Sequence, residues 1–424
     1  MEPEWSIQMM NHGLENGGDD LSIPTHVIVG AGQAGANAAF AMRQAGFAGR
    51  IVLVGEERAL PYERPPLSKE ALTADQPIEP TYVRSEADYA AAGIELMLGR
   101  RAVRIDPAGR LVHLDDGTVV GFERLLIATG GRARLLPIPG GEHVRTLRTL
   151  DDAAALRRPL REARRVVCIG AGVIGLEVAA SARKLGAEVT VLEAGARAME
   201  RCVPAEISTA VEGLHRSHGV ELRFGETLAE VRCTAAGYEA VTAEGTSITA
   251  DILIAGVGIV RDLTLAESAG AAVDGCIRVD AFGETSIPGI FAAGDVASVY
   301  HGFYGRHVRL ENWRHAQNHA IAVGRAMAGD ASAYGDQPYF WTDQFGMHLQ
   351  VCGFAHEAVR TVLRDGGGDF LAWHLDADGR LVGASAANRP RDFRMASKLV
   401  QSHARLDVEA AANAAIPVQR LAKA

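Results

Sequence analysis

The residues in this chain with the clearest chemical potential are two sets of glycines with the spacing G-x-G-x-x-G. In such a loop the first glycine makes a tight turn, the second lets the backbone approach a pyrophosphate at a helix N-terminus, and the third lets helix and strand pack closely. The two sets begin 140 residues apart, which indicates an internal duplication of a nucleotide-binding unit. The loop residues predicted to contact a dinucleotide are Gly30, Gly32, Gln33, Ala34 and Gly35 in the first set and Gly170, Gly172, Val173, Ile174 and Gly175 in the second.

Each glycine set is followed by an acidic residue near the end of the next apolar run. Glu193, which ends VTVLE, is predicted to accept hydrogen bonds from both ribose hydroxyls of NADH and to repel the additional phosphate of NADPH. In the first unit Glu56 is a better candidate for the ribose than Glu57, because it is nearer the strand end. Arg197 and Arg201 could weaken the preference for NADH, but we interpret them as a solvated basic face.

A third motif predicts that one of the two nucleotides is a flavin. In TSIPGIFAAGDVA an apolar strand runs into Gly294 and Asp295. A carboxylate at that point would reach a ribitol hydroxyl of a flavin, while the following helix N-terminus would face the pyrophosphate. The alternative is an aspartate that only caps a helix after a buried strand. Because two dinucleotide units are present, we favour the flavin, and the pattern then predicts one flavin and one nicotinamide.

The overall charge and the cysteines exclude several other classes of function. A net charge of −9 and a pI near 5.9 oppose general binding to nucleic acids or to membrane surfaces. The five cysteines form no C-x-x-C pair, which favours reduced thiols in a cytoplasmic protein and argues against a dithiol–disulfide reductase. No run approaches transmembrane length, and residues 1–22, which contain no apolar core run, are predicted to be a disordered tail rather than a targeting peptide.

Hydrophobic periodicity defines the elements that must position these residues. THVIVGAGQAGANAAFAMRQAGFAGRIVLVGEE reads as strand, turn, helix and strand, and the same order recurs in RRVVCIGAGVIGLEVAASARKLGAEVTVLEAG. The last segment has short alternating strands and a final helical stretch, as in a separate α+β domain. We therefore predict an α/β protein with an FAD domain formed by 23–130 and 262–335, an NAD domain at 131–261, and a C-terminal α+β domain at 336–424.

Six motifs, which include the FAAGDVA segment described above, occur in an order that is typical of one family. They are RPPLSK at 64–69, LLIATGG at 125–131, GLE at 175–177, FAAGDVA at 291–297, ENW at 311–313 and FWTDQFG at 340–346. With the glycine loops, they make the chain resemble the FAD-dependent NADH:ferredoxin reductases of bacterial oxygenase systems. The resemblance implies a glutathione reductase-like fold, FAD and NADH as cofactors, and a [2Fe–2S] ferredoxin as partner. In that family the ferredoxin passes electrons to a Rieske oxygenase or a cytochrome P450.

The resemblance also implies roles for the RPPLSK segment and for the second glycine helix. Pro65 and Pro66 would wall the isoalloxazine ring, and Lys69 would lie near flavin N5, where a cation favours the anionic reduced flavin. Glu177, seven residues after Gly170, would pair with Lys69 beside the nicotinamide and so bridge two domains. The alternative for Glu177 is an early-helix carboxylate that only interacts with the helix dipole.

Further cofactor contacts follow from the same resemblance. The remaining residues predicted to bind a cofactor are Arg64, Thr129, Gly130, Arg132, Asp295, Trp313 and Gly258. Trp341 matches an aromatic residue between the flavin edge and the ferredoxin, although core packing is an equal alternative. No role is assigned to Glu311 or Asn312. The implied reaction is hydride transfer from nicotinamide C4 to flavin N5, followed by single-electron transfer to the ferredoxin, with no catalytic nucleophile or general base.

Other flavoproteins with this architecture remain alternatives. A rubredoxin reductase or a monodehydroascorbate reductase-like enzyme would share these motifs and differ in the electron acceptor. A coenzyme A disulfide reductase or NADH oxidase needs a redox cysteine after the first unit, and the region from Gly55 to Val103 contains none. A protein like apoptosis-inducing factor, which binds DNA, needs a positive potential that a net charge of −9 opposes.

Two sets of polar residues are left outside this scheme. Four histidines, His301, His307, His315 and His319, are predicted to face solvent or a partner rather than to bind zinc, because no H-E-x-x-H pattern is present. We therefore predict no metal site. A basic set in the last domain is a candidate docking surface for an acidic ferredoxin, with a solvated helix face as the equal alternative. It consists of Arg389, Arg391, Arg394 and Lys398.

Overall fold

The computed structural model describes residues 23–76, 78–364 and 368–421, so the predicted tail at 1–22 lies outside the described residues. The three largest sheets among the described residues are two five-stranded parallel sheets and one five-stranded antiparallel sheet in the C-terminal segment. The predicted α/β class with two similar nucleotide-binding units and a C-terminal α+β domain is therefore confirmed. No helix within the described ranges is long and apolar enough to span a membrane.

The first unit is a five-stranded parallel sheet. Its elements before residue 131 are β1 (Thr25–Val29), α1 (Gln33–Gln44), β2 (Arg50–Gly55), α2 (Glu70–Thr73), α3 (Glu86–Ala91), β3 (Ile94–Leu98), β4 (Ala102–Asp106), β5 (Leu111–Leu114), β6 (Val119–Gly121) and β7 (Arg124–Ile127). Strand β1 lies between β2 and β7, and Val27 to Val29 are buried. Such a continuous apolar run is typical of a parallel strand that is covered on both faces. Strands β4, β5 and β6 form a separate antiparallel sheet.

The second unit repeats this arrangement. Its elements are β8 (Arg132–Ala133), β9 (Val144–Thr146), α4 (Leu150–Glu162), β10 (Arg165–Ile169), α5 (Val173–Lys184), β11 (Glu188–Glu193), α6 (Ala205–Ser217), β12 (Val220–Phe224), β13 (Leu228–Thr234), β14 (Gly237–Thr242), β15 (Ser247–Ala250), β16 (Ile252–Ala255) and β17 (Ile259–Val260). Strand β10 lies between β11 and β16, as β1 lies between β2 and β7. The short antiparallel pair β8–β17 connects the second unit with the chain on either side of it.

The chain then returns to the first unit. The elements of this return are α7 (Thr264–Ser268), β18 (Ile277–Val279), β19 (Ile290–Ala292), β20 (Ala297–His301), β21 (Arg306–Val308) and α8 (Trp313–Met327). Strand β19 adds to the first sheet beside β7, and α8 packs on α1. The approach of these helices depends on Gly324, since a Cβ at that position would lie 2.5 Å from the Ala38 carbonyl oxygen.

The last segment is a five-stranded antiparallel sheet with two helices. Its elements are β22 (Tyr339–Gln344), β23 (Met347–Gly353), β24 (Arg360–Arg364), β25 (Phe370–Leu375), β26 (Leu381–Ala387), α9 (Pro390–Gln401) and α10 (Val408–Ala412). The strand order is β22-β23-β26-β25-β24, so β22 is an edge strand, and it packs against α5 of the second unit. Through β22 this sheet reaches the boundary between the two nucleotide-binding units.

Candidate functional site

The first glycine loop has the geometry of a phosphate-binding turn. Gly30 has a φ of +113°, and a Cβ there would lie 2.3 Å from the Ala128 carbonyl oxygen. At Gly35 a Cβ would lie 1.9 Å from the Gly30 carbonyl oxygen, whereas at Gly32 it would meet nothing within 4 Å. Helix α1 begins without a side-chain cap, so its first backbone N–H groups remain available to an anion.

The second loop repeats this geometry. Gly170 has a φ of +97°, and a Cβ at Gly175 would lie 2.0 Å from the Gly170 carbonyl oxygen. At Gly172 the nearest atom to a Cβ would be 3.8 Å away, and α5 also begins without a side-chain cap. Gly258, with a φ of +100°, lies beyond β16 in the connection to β17. Both loops thus have a crowded first and third glycine and an open second one.

The two predicted ribose acids have different surroundings. Glu193 accepts hydrogen bonds from the backbone N–H groups of Ala171, at 2.6 Å, and Gly195, at 2.7 Å. Its carboxylate therefore lies against the second glycine loop. Glu56 is more than half exposed and pairs with Arg132 at 3.1 Å.

The sequence interpretation of the basic residues near Glu193 is wrong for one of the two. Arg201 is exposed, as expected for a solvated face. Arg197 instead donates hydrogen bonds to the Val203 carbonyl oxygen and to Ser208 Oγ, at 2.7 and 2.6 Å. Arg197 thereby connects the loop that follows β11 to helix α6. The spacing of charges along the chain does not reveal this contact.

Asp295 lies in a 3-10 turn, Gly294–Val296, directly after β19. It does not cap a helix, so that alternative is wrong; its carboxylate pairs with Arg148 at 3.2 Å. Arg148 also donates to the Gly131 carbonyl oxygen at 3.0 Å, and its own carbonyl oxygen accepts from Arg64. Burial lowers the pKa of the Arg148 guanidinium despite the neighbouring carboxylate. Sequence reasoning missed Arg148, which belongs to none of the motifs.

Lys69 and Glu177 form the ion pair that the resemblance predicts. Their Nζ and Oε2 atoms are 2.9 Å apart, and Glu177 is only 3% exposed. The same carboxylate accepts from the hydroxyls of Ser68 and of Thr342, the latter at 2.6 Å from Oε1. Lys69 also donates to the Pro65 carbonyl oxygen at 3.1 Å, at the start of the 3-10 turn Pro65–Ser68. This pair lies where the first unit, the second unit and the C-terminal sheet meet.

Two tryptophans lie beside each other near this junction. The Trp313 and Trp341 rings are 5.6 Å apart in an edge-to-face arrangement, and Tyr339 lies 6.1 Å beyond Trp341. Asn312, to which the sequence assigned no role, caps α8 by accepting from the His315 N–H at 2.8 Å. Glu311, also without a predicted role, forms an ion pair with Arg261.

The residues of the first unit fit a bound flavin nucleotide. Thr129 Oγ1 and Trp313 Nε1 are buried and have no hydrogen-bond partner within the protein. Unpaired buried polar atoms are costly, so these two atoms favour a ligand with polar groups at both positions. Thr129 lies against the first glycine loop, since a Cβ at Gly30 would be 2.8 Å from its backbone nitrogen, and both residues are among those predicted to bind FAD.

Three of the four clustered histidines contradict the prediction of a solvent-facing or partner-facing position. His301, His315 and His319 are at most 2% exposed, and only His307 retains moderate exposure. The His315 ring lies 2.9 Å from Tyr334 OH, and burial lowers the pKa of His319 to about 3. His315 and His319 lie on the face of α8 that packs into the first unit, and His301 ends β20; spacing along the chain could not reveal this burial. Among the described residues, no group of three or more potential ligands is arranged to hold a metal ion.

The basic set of the last domain lies on α9. Arg391, Arg394 and Lys398 are exposed, and their spacing places them along one side of the helix. Arg389 instead pairs with Asp392 at 2.7 Å. The exposed part of the set is therefore smaller than the sequence predicts.

Comparisons with known proteins agree with this geometry. The model of the pyridine nucleotide-disulphide oxidoreductase family matches residues 24–320, and a model described as reductase C-terminal matches 339–422. The chain is 39% identical to the ferredoxin–NAD(+) reductase component of the p-cumate 2,3-dioxygenase system of Pseudomonas putida, over 95% of this chain and 99% of that protein. It is 35% identical to putidaredoxin reductase from Pseudomonas putida, over 93% and 96%.

Solved structures that superpose on this chain also include ferredoxin reductases. The ferredoxin reductase for the CYP199A2 system from Rhodopseudomonas palustris superposes with a TM-score of 0.90 at 34% identity, covering 94% of this chain and all of that one. A covalent complex of putidaredoxin reductase with putidaredoxin gives a TM-score of 0.89 at 33% identity, with 94% and 98% covered.

Proposed function

Because the chain belongs to the pyridine nucleotide-disulphide oxidoreductase family, and within it to the ferredoxin–NAD(+) reductases, we propose that it passes electrons from NADH through FAD to a [2Fe–2S] ferredoxin. The observation that carries this proposal is the buried Lys69–Glu177 pair at the meeting point of both nucleotide-binding units. It joins the segment that follows β2 of the first unit to the helix that begins at the second loop.

The enzyme is a flavoprotein oxidoreductase whose cofactors are FAD and NAD(H). FAD, when bound, supplies the capacity to take up two electrons together and release them singly. We propose that the first glycine loop, Thr129, Asp295 and Trp313 hold it, and that the second loop and Glu193 hold NADH. All five cysteines are free, and burial raises the pKa of Cys168 to about 12, so the chain offers no reactive dithiol for disulfide chemistry.

The residues at the junction would orient the cofactors and supply fixed charges next to them. The Lys69 ammonium provides a fixed positive charge, which favours negative charge on a neighbouring group that takes up electrons. Glu177 balances that ammonium and fixes its position. The two prolines stiffen the segment before Lys69, and α5 carries Glu177 directly from the second glycine loop.

We propose that the ferredoxin docks where Trp341 and α9 approach the surface. Arg391, Arg394 and Lys398 provide positive charge for an acidic partner, and Arg314 lies over the Tyr339 ring at 4.8 Å. The ferredoxin would then serve a Rieske oxygenase or a cytochrome P450, as the dioxygenase and putidaredoxin systems of the relatives suggest. The free cysteines favour a cytoplasmic location.

The test is reduction of purified electron acceptors by the FAD-loaded protein with NADH. A [2Fe–2S] ferredoxin should be reduced faster than rubredoxin or the ascorbate radical. Replacing Arg391, Arg394 and Lys398 together by Gln should raise the KM for ferredoxin at low salt and leave the reduction of FAD by NADH unchanged. Faster reduction of rubredoxin or of the ascorbate radical would contradict the proposal.

A further inference from the structure

Strand β22 carries polar residues at positions where a core-facing strand normally carries apolar ones. Side chains alternate between the two faces of a strand, so every second residue of β22 faces the protein interior. Thr342 and Gln344 occupy two such positions and are 0% and 1% exposed, whereas Asp343 between them is exposed. Buried polar side chains are costly unless they are hydrogen-bonded, and such departures from the pattern mark functional positions.

The two side chains are links in a continuous series of hydrogen bonds. Thr342 Oγ1 lies 2.6 Å from Glu177 Oε1, and Gln344 Nε2 lies 2.9 Å from Thr342 Oγ1. His215 Nε2, on α6, lies 2.6 Å from Gln344 Oε1. The series therefore connects α6 of the second unit, through the C-terminal sheet, to the Lys69–Glu177 pair.

An ionised Glu177 determines the direction of every hydrogen bond in the series. A carboxylate only accepts, so the Thr342 hydroxyl must donate to it, and the Thr342 oxygen can then accept from the Gln344 amide N–H. The Gln344 carbonyl oxygen consequently faces His215 and accepts from Nε2–H. His215 Nδ1 is buried without a partner, and burial lowers the pKa of this histidine, so its neutral form fits the series.

We propose that Thr342 and Gln344 are positioning residues of the electron-transfer site. The Thr342 hydroxyl holds one oxygen of Glu177 while Lys69 and Ser68 hold the other, and Gln344 fixes the direction in which Thr342 donates. The C-terminal sheet thereby helps to set the charge distribution at the junction of the two nucleotide-binding units. The inference rests on the proposed function, because its consequence is a change in how the protein takes up electrons from NADH.

A pair of substitutions at one position tests this role. Thr342→Val keeps the shape of the side chain and removes the donor, whereas Thr342→Ser keeps the hydroxyl. In the FAD-loaded protein, Thr342→Val should lower the limiting rate of FAD reduction by NADH about tenfold, the rate equivalent of one hydrogen bond to a charged group. The NADH concentration for half-saturation should change little, and Thr342→Ser should restore the rate.

The reduction potential of the bound FAD provides a readout that is independent of turnover. Without the Thr342 donor, Glu177 balances Lys69 less well, so the potential should become more positive in Thr342→Val but not in Thr342→Ser. Gln344→Met removes the amide and should shift both measurements in the same directions by less. It also serves as the test if Thr342→Val does not fold.

Three outcomes would overturn the inference. A valine variant with the rate and potential of the unmodified protein would remove any positioning role, and equal impairment by valine and serine would indicate packing alone. If the unmodified FAD-loaded protein is not reduced by NADH, the proposed function fails and this inference fails with it. Reduction of the unmodified protein together with an unaffected valine variant contradicts only the inference.

Discussion

The two glycine-loop units have nearly the same backbone but use the seventh residue after the first glycine differently. In the first unit this residue is Asn37, which is 8% exposed and donates to the Gln33 carbonyl oxygen of its own helix at 2.7 Å. In the second unit it is Glu177, which is 3% exposed and pairs with Lys69, outside its own unit, at 2.9 Å. One substitution thus turns a local helix contact into the link between the units.

The ends of the second strands differ as well. The Gly30 N–H donates to the Val54 carbonyl oxygen and the Gly170 N–H to that of Leu192, so Gly55 occupies the position of Glu193. Glu193 binds its own glycine loop, whereas Glu56, one residue further along, pairs with Arg132 and is exposed. The two units therefore share a backbone arrangement and differ in single side chains, which determine the contacts that each unit makes.

The largest difference between the two units is expected when the third glycine of each loop is replaced by alanine. In Gly35→Ala the Cβ would lie 1.9 Å from a backbone oxygen, which should cost about 3 kcal/mol of stability and abolish FAD retention. Gly175→Ala should instead leave FAD bound and weaken NADH binding. The FAD-to-protein absorbance ratio and the half-saturating NADH concentration measure the two effects.

A glycine in open space provides the control for these substitutions. A Cβ at Gly213, on α6, would meet nothing within 4 Å, so Gly213→Ala should change neither measurement. Stoichiometric FAD in Gly35→Ala would contradict the assignment of FAD to the first unit.

The next largest difference between the units is expected for substitutions of the seventh residue after the first glycine. Glu177→Gln leaves the Lys69 ammonium without the carboxylate that fixes its position and should slow FAD reduction by NADH about 100-fold, or about 2.7 kcal/mol of activation free energy. Asn37→Ala should cost about 1 kcal/mol of stability and leave that rate unchanged. Anaerobic stopped-flow absorbance measures the rates.

A double-substitution cycle shows whether the two charged residues act as a unit. Lys69→Ala should slow the reaction as well, and the variant that carries both substitutions should be no slower than the slower single variant. Fully additive losses, or a Lys69→Ala variant with an unchanged rate and flavin potential, would separate Lys69 from Glu177.

Substitutions of the acidic residues at the strand ends, Glu193 and Glu56, should give a smaller difference between the units. Glu193→Gln should reduce the preference for NADH over NADPH about tenfold, since it removes the charge that repels the additional phosphate. Glu56→Gln should leave that preference intact and only loosen FAD, because this side chain is more than half exposed. The kcat/KM values for NADH and NADPH and the FAD dissociation constant test this contrast. An equally large change of the nucleotide preference in Glu56→Gln and in Glu193→Gln would contradict it.

The smallest effect concerns acid sensitivity of the first unit. Burial, with help from Arg124 and Arg43, lowers the pKa of His26 to about 4, below the ordinary value of 6.5. The unfolded chain therefore binds a proton more readily, and the stability from neutral His26 is lost as pH falls from 6.5 towards 4. At pH 6 this amounts to about 0.8 kcal/mol for this single group.

Replacement of His26 by Gln should flatten the pH dependence of stability between pH 6.5 and 4. His356→Gln, at an exposed position, should not. Urea unfolding at several pH values measures the slopes, and equal slopes for the two variants would contradict the role of burial.

The sequence predicts the parts of the site that depend on short-range patterns. Glycine spacing predicts both loops, and the resemblance predicts the Lys69–Glu177 pair. Thr342 lies within the FWTDQFG motif but received no role, and Arg148 belongs to no motif. Both were missed because their partners lie far away in sequence. His315 and His319 were predicted to face solvent or a partner, but their burial depends on how α8 packs on the first unit, which no local pattern determines. The domain boundaries and the cofactor roles of the individual residues remain predictions.

The most direct test of the central claim is an anaerobic titration of the FAD-loaded protein with NADH, followed by visible absorbance. If the first unit holds FAD and the second presents NADH to it, the protein should be yellow and should bleach as NADH is added. A protein that remains colourless after loading with FAD, or a yellow protein that does not bleach, would contradict the account.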